Sequence, residues 1–170
     1  MSDTPAHALA AEHANPARAI YGTILVMAVI TALSHDDSVT SAQLIAGVLA
    51  TTLVFWVAHV YAEVLGRRVA GEGEEQGRPR WADVVAAARG EWPLVEAALL
   101  PVLALVVGLV GLVETQTAVW IATGAGVVEL FAYGIAAGRR LKLSVGGTVV
   151  VGVVNGALGL VIVALKVLVH

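Results

Sequence analysis

The chain has 170 residues, 58% hydrophobic and 14% charged, with a formal net charge of -3 at pH 7 and no cysteine. Soluble domains are roughly 45–50% apolar and about 25% charged, so neither a free-standing soluble enzyme, a disordered chain nor a basic nucleic-acid-binding surface is expected. Without cysteine there is no disulfide, thiolate metal site or thiol nucleophile.

Residues 1–15 read as a polar cytoplasmic leader carrying Asp3 and Glu12, with His7 and His13 solvated. Asn15-Pro16 supplies a cap and a first-turn proline, so the first helix is predicted over 16–34. The leader is long and acidic, which favours an anchored helix over a signal peptide despite the small residues of Thr31-Ala32-Leu33-Ser34. A second helix is predicted over 41–66. The loop 67–91 then opens with a flexible acidic linker, Gly71 to Gly77, and closes with a short amphipathic helix at about 79–90. In that helix Trp81, Val84, Val85 and Ala88 share one face, either on the membrane interface or on a plain surface. The third helix, 92–113, begins at the interfacial anchor Trp92 and is expected to kink at Pro101. The fourth, 117–138, is broken only by Glu129 and carries Trp120 as an anchor for the other interface. The fifth, 143–167, is the most continuous.

Each run approaches the about 20 apolar residues a helix needs to cross a bilayer. Continuous rather than alternating runs argue against a β-barrel, and lipid forces the valine-rich stretches to satisfy their backbone internally. The expected fold is therefore all-α, a polytopic bundle of five spans in one membrane domain, 16–170. Nine of the ten basic residues, Arg18, Arg67, Arg68, Arg78, Arg80, Arg89, Arg139, Arg140 and Lys142, fall on one side of such a bundle. Only Lys166 lies near the other. The positive-inside rule puts the N-terminus in the cytoplasm and the C-terminus outside a cell membrane.

Within the spans, the informative residues are those lipid should exclude. Thr52, Trp56, His59 and Glu63 share one face of the second helix, Glu96 lies near the start of the third, and Glu129 and Tyr133 lie one turn apart on the fourth. The fifth carries Ser144, Thr148 and Asn155 on one stripe with Gly152 and Gly159. By helix rise, Glu63 and Glu96 sit roughly 5–6 Å from the cytoplasmic end, Tyr133 about 8 Å, His59 about 10 Å and Glu129 about 13 Å. This points to a polar cavity moving protons or a cation, with Glu129 and His59 central and Glu63, Glu96, Tyr133 and Asn155 assisting. His59, Glu63, Glu96 and Glu129 are also the set that would hold a divalent cation such as Mn, Fe or Zn. A competing reading has Glu63 and Glu96 at the interface, paired with Arg67, Arg68 or Arg89. No other cofactor is expected.

Gly134 with Gly138, and Gly152 with Gly156, form small-xxx-small pairs for helix packing, within the bundle or between copies in a homo-oligomer. No hydrolase, metalloprotease or phosphate-loop motif is present, so an enzyme is not expected, and a lipid-modifying activity ranks third. The alternative to transport is a non-transporting scaffold or partner subunit. The segment Phe55-Trp56-Val57-Ala58-His59-Val60-Tyr61-Ala62, the scarcity of lysine and the richness in Val, Ala, Gly and Arg resemble small integral membrane proteins of high-GC actinobacteria. That resemblance implies a multi-pass membrane protein with the lipid bilayer as its partner, and no particular activity.

Overall fold

The structure, a computed structural model, describes residues 4–36, 38–69 and 81–169, with side chains described within 16–36, 38–69 and 81–168. The side chains of His7 and His13 and the Gly71–Gly77 linker lie outside the described residues. All regular structure among the described residues is helical: α1 (Thr4–Leu33), α2 (Ser41–Val69), α3 (Trp81–Gly90), α4 (Trp92–Glu96), α5 (Leu99–Leu109), α6 (Thr115–Arg140) and α7 (Val145–Val169). Five stretches are long and apolar enough to cross a membrane: Pro16–Leu33, Ser41–Val69, Trp92–Leu109, Thr115–Arg140 and Val145–Leu168. Short connections make successive spans antiparallel. One end of the bundle, here the arginine end, gathers Arg18, Arg67, Arg139 and α3. The opposite end holds Leu33, Ser41, Leu109 and Thr115.

The start of α1 differs from the sequence expectation. Asn15-Pro16 does not cap the helix, which begins at Thr4 and runs through Pro16. Five alanines between Ala6 and Ala14 favour helix strongly enough to carry it past a proline, and Pro5 takes the first-turn place instead. On α2, the buried residues Ser41, Leu44, Val48 and Thr52 recur every three or four positions, all in its first half. Its second half is covered partly by α3, where the Trp56 indole donates to the Ala88 carbonyl (3.2 Å) and meets Trp92 edge-on (centroids 6.2 Å apart).

The third span is interrupted at Ala97–Ala98, one turn before Pro101, while both residues keep right-handed helical dihedrals. Pro101 has no N–H to give the Ala97 carbonyl, so α4 and α5 separate at Ala97–Ala98. It also ends earlier than the predicted 113. Gly111 adopts φ +75° while its N–H bonds Gly108 O (3.1 Å) and the Leu112 N–H bonds Val107 O (3.2 Å). These paired bonds close the carbonyl end of α5 as a Schellman motif. The same motif ends α6, but with Lys142 (φ 53°) in the left-handed position that glycine usually takes.

α6 is the central helix, packed against α1, α5 and α7. A Cβ at Gly134 would lie 2.8 Å from the Gly152 Cα and the Val151 carbonyl, and one at Gly138 2.8 Å from the Thr148 Cα. Those glycines let the α6 and α7 backbones touch. Gly156 has only ordinary van der Waals contact with Phe131 across the same seam. The apolar core, including Val26, Ile30, Leu44, Val48, Leu105 and Val119, fills the half of the bundle towards the opposite end.

Candidate functional site

The site begins with the face that α1 turns to α6. Ala19, Thr23, Met27 and Ile30 are buried at helical spacing, and a Cβ on Gly126 would lie 2.6 Å from Met27, so the two helices run close together. Next along α6, near its midpoint, Glu129 enters this interface with only 6% of its surface exposed. The Thr23 hydroxyl, fully buried, donates to the Ala19 carbonyl (3.0 Å) and stands 3.5 Å from Glu129 Oε2. Among the described residues no cation pairs with Glu129; the ion pairs are Arg18–Glu91 and Arg67–Glu63. Because a hydroxyl both donates and accepts, Thr23 can donate to a carboxylate or, while bonded to Ala19, accept from a carboxylic acid. Either protonation state of Glu129 therefore has a partner.

One turn further, half-buried Tyr133 lies within electrostatic range of both Glu129 and Glu96, and Glu96 is exposed at the end of α4. Glu129, Tyr133 and Glu96 thus form a series from the middle of the bundle towards the arginine end. Beyond Glu129 in the other direction lie the buried Thr123, whose hydroxyl donates to the Val119 carbonyl (2.7 Å), and the apolar core.

The remaining sequence candidates lie elsewhere. His59 is half-buried on α2 against Tyr21 (ring centroids 5.4 Å apart), with Nδ1 2.8 Å from the Phe55 carbonyl. A carbonyl only accepts, so Nδ1 carries the proton in that bond. Tyr21 and Thr23 are two residues apart and so about 200° apart around α1. His59 and Glu129 consequently face opposite sides of that helix and share no cavity. Glu63 forms an exposed pair with Arg67 one turn later (2.8 Å). Asn155 donates to the Val151 carbonyl (2.9 Å) in the seam beside Gly134, on a flank of α6 different from that of Glu129. Among the described residues no three His, Asp or Glu side chains come together as a metal site, so His59, Glu63, Glu96 and Glu129 do not converge on one ion.

Two buried charges were not singled out by sequence. The Arg18 Nε lies 2.9 Å from Glu91 Oε1, a second Arg18 nitrogen donates to the Gly90 carbonyl (3.1 Å), and Glu91 is almost fully buried. This pair ties α1 to the corner between α3 and α4. Lys166 is buried with its ammonium 4.8 Å above the Trp120 ring. Glu91 beside Trp92-Pro93 reads as a loop end in one dimension. Its depth comes from α3 folding back along α2, which the unperiodic linker between them does not foretell. Compared with known proteins, the chain matches no protein-family model, no curated protein and no solved structure.

Proposed function

We propose that this is a small multi-pass protein of the cell membrane that moves protons or a cation, with Glu129 as the central group. The supporting observation is a carboxyl group buried midway along a membrane-length helix, without a cation, beside a hydroxyl able to serve both its protonation states. Ionisable side chains at such depth are costly and mark ion or proton pathways. Tyr133 and Glu96 extend the polar series to the arginine end, which the positive-inside rule assigns to the cytoplasm together with the N-terminus. His59 is the other proton-exchanging group in this reading, on a separate branch beside Tyr21. A divalent ion, if carried, meets Glu129 and Glu96 in turn rather than all four candidate ligands at once.

A second reading, a non-transporting scaffold or partner subunit, draws on the apolar cluster that packs α1, α2, α5 and α6 together beyond Glu129. One assay separates the two. The full chain is reconstituted in liposomes containing a pH-sensitive dye, and flux is driven by a potassium diffusion potential. Transport predicts proton or cation flux above that of protein-free vesicles, reduced to their level by Glu129→Gln and retained in Thr23→Ser. Flux that survives Glu129→Gln overturns this mechanism, and no flux in the parent protein favours the scaffold.

A further inference from the structure

What the Glu129 site can hold follows from the oxygens around it and the space beside them. The hydrogen bonds of Thr23, to Glu129 and to the Ala19 carbonyl, bring together two carboxylate oxygens, one hydroxyl and one carbonyl. His59 stands on the far side of α1 and Glu96 lies beyond Tyr133, so among the described residues no imidazole or second carboxylate joins them. Calcium takes roughly six to eight oxygens and magnesium a near-ideal octahedron of them, so waters would have to complete either shell. The packing closes the site against such a shell. Thr23 is fully buried and Glu129 nearly so. A Cβ on Gly126, on the α6 turn before Glu129, would lie 2.6 Å from Met27, and one on Gly22, next to Thr23, 2.7 Å from the Leu94 carbonyl. Around Thr23, α1 is thus pressed against both α6 and α4.

Few charges bear on the group. Of the helices packed against α6, α1 turns Ala19, Thr23 and Met27 towards it, and its Arg18 is held by Glu91. α5 carries no ionisable residue. α7 carries only Lys166, which stands over Trp120, about 13 Å along α6 from Glu129. Tyr133 and Glu96 are the ionisable neighbours, both towards the arginine end. A divalent ion would leave one positive charge uncompensated among buried groups, which is costly. A monovalent metal ion would still need its shell of oxygens. A proton needs neither: it joins one carboxylate oxygen, leaves the group neutral, and lets Glu129 donate to Thr23 where it had accepted, without moving a helix. We propose, resting on the role of Glu129 given above, that the ion it takes up is a proton and that the site rejects metal cations.

Infrared spectroscopy of the full chain in lipid nanodiscs reads that carboxyl group directly, with or without transport. The carbonyl band of a buried carboxylic acid that is missing in Glu129→Gln belongs to Glu129, and its growth as pH falls gives the midpoint of protonation. Should Glu129→Gln fail to fold, Glu129→Asp makes the assignment by moving the band. The midpoint is measured in choline chloride and then in sodium, potassium, magnesium, calcium and manganese chloride at equal ionic strength. The expected result is the same midpoint in every salt. A metal ion that competes for the carboxylate lowers the midpoint by about one pH unit per tenfold rise in its concentration above its Kd. Such a fall in any salt overturns the proposal. So does a Glu129 band that does not titrate where the chain stays folded. Flux in liposomes separates this outcome from the transport reading. Glu129-dependent flux driven by a metal gradient, with pH equal on both sides, overturns the proton assignment and leaves transport standing. A midpoint insensitive to metals in a protein without flux does the reverse.

Discussion

Towards the opposite end, α1, α2, α5 and α6 meet through Val26, Ile30, Leu44, Val48, Leu105 and Val119, with a Ser41–Thr115 hydroxyl bond (3.1 Å) at the rim. Towards the arginine end, the Arg18–Glu91 pair ties α1 to the junction of α3 and α4, Trp56 of α2 bonds the α3 backbone, and the rings of Tyr21, Phe55 and His59 tilt together between α1 and α2. Lipid tails are as apolar as leucine, so the first half gains from close packing rather than from escape from water. The second half adds directed polar contacts to close packing of its own, as where Gly22 meets Leu94 and where Gly134 and Gly138 meet α7. Glu129 lies where the two regions meet, with Tyr133 and Glu96 on one side and the buried hydroxyl of Thr123 on the other.

The comparison can be broken by removing one tie at a time. Arg18→Ala leaves the Glu91 carboxylate buried without its cation, and should lower stability by about 2–4 kcal/mol. The figure is below that for a fully buried pair because Arg18 keeps 22% of its side chain exposed. Denaturation in mixed detergent micelles measures it, and a loss smaller than that of Leu105→Ala would reverse the ranking of the two halves. Leu105→Ala opens a cavity in the closed half. The transfer contribution is small in lipid, so the cavity contribution dominates and the expected loss is about 1–3 kcal/mol. That variant should leave any Glu129-dependent flux in place once protein amount is normalised; loss of flux in the folded variant would mean that the closed half belongs to the pathway. The smallest effect has the opposite sign. Lys142→Gly relieves a left-handed side-chain conformation at the end of α6 and should stabilise by about 0.5–1 kcal/mol, read as a higher unfolding midpoint.

Much of this architecture was legible in one dimension because lipid reduces folding to two questions, where the apolar runs lie and what interrupts them. The five membrane-length helices follow from the runs, the broken third span from Pro101, and the burial of Glu129 from its place in an otherwise uncharged stretch. Helix rotation about its own axis was not legible. Thr52, Trp56, His59 and Glu63 share a face of α2, as their spacing requires, yet that face passes from the core at Thr52 to an exposed ion pair at Glu63. Depth arithmetic placed His59 level with the other polar groups but was silent about α1 standing between it and Glu129. The Arg18–Glu91 pair needs the fold of α3 against α2, and nothing local to either residue encodes it.

The spans are unequal in length, and that has a consequence in a membrane. At about 1.5 Å per residue α2 is about 43 Å long, whereas Trp92–Leu109 covers about 27 Å. A hydrocarbon layer of about 30 Å is matched to within a turn by the third span and exceeded by α2. In a membrane α2 would meet it by tilting or by carrying its final turns among the headgroups. A change in layer thickness would then alter the tilt of α2 more than that of its shorter neighbours.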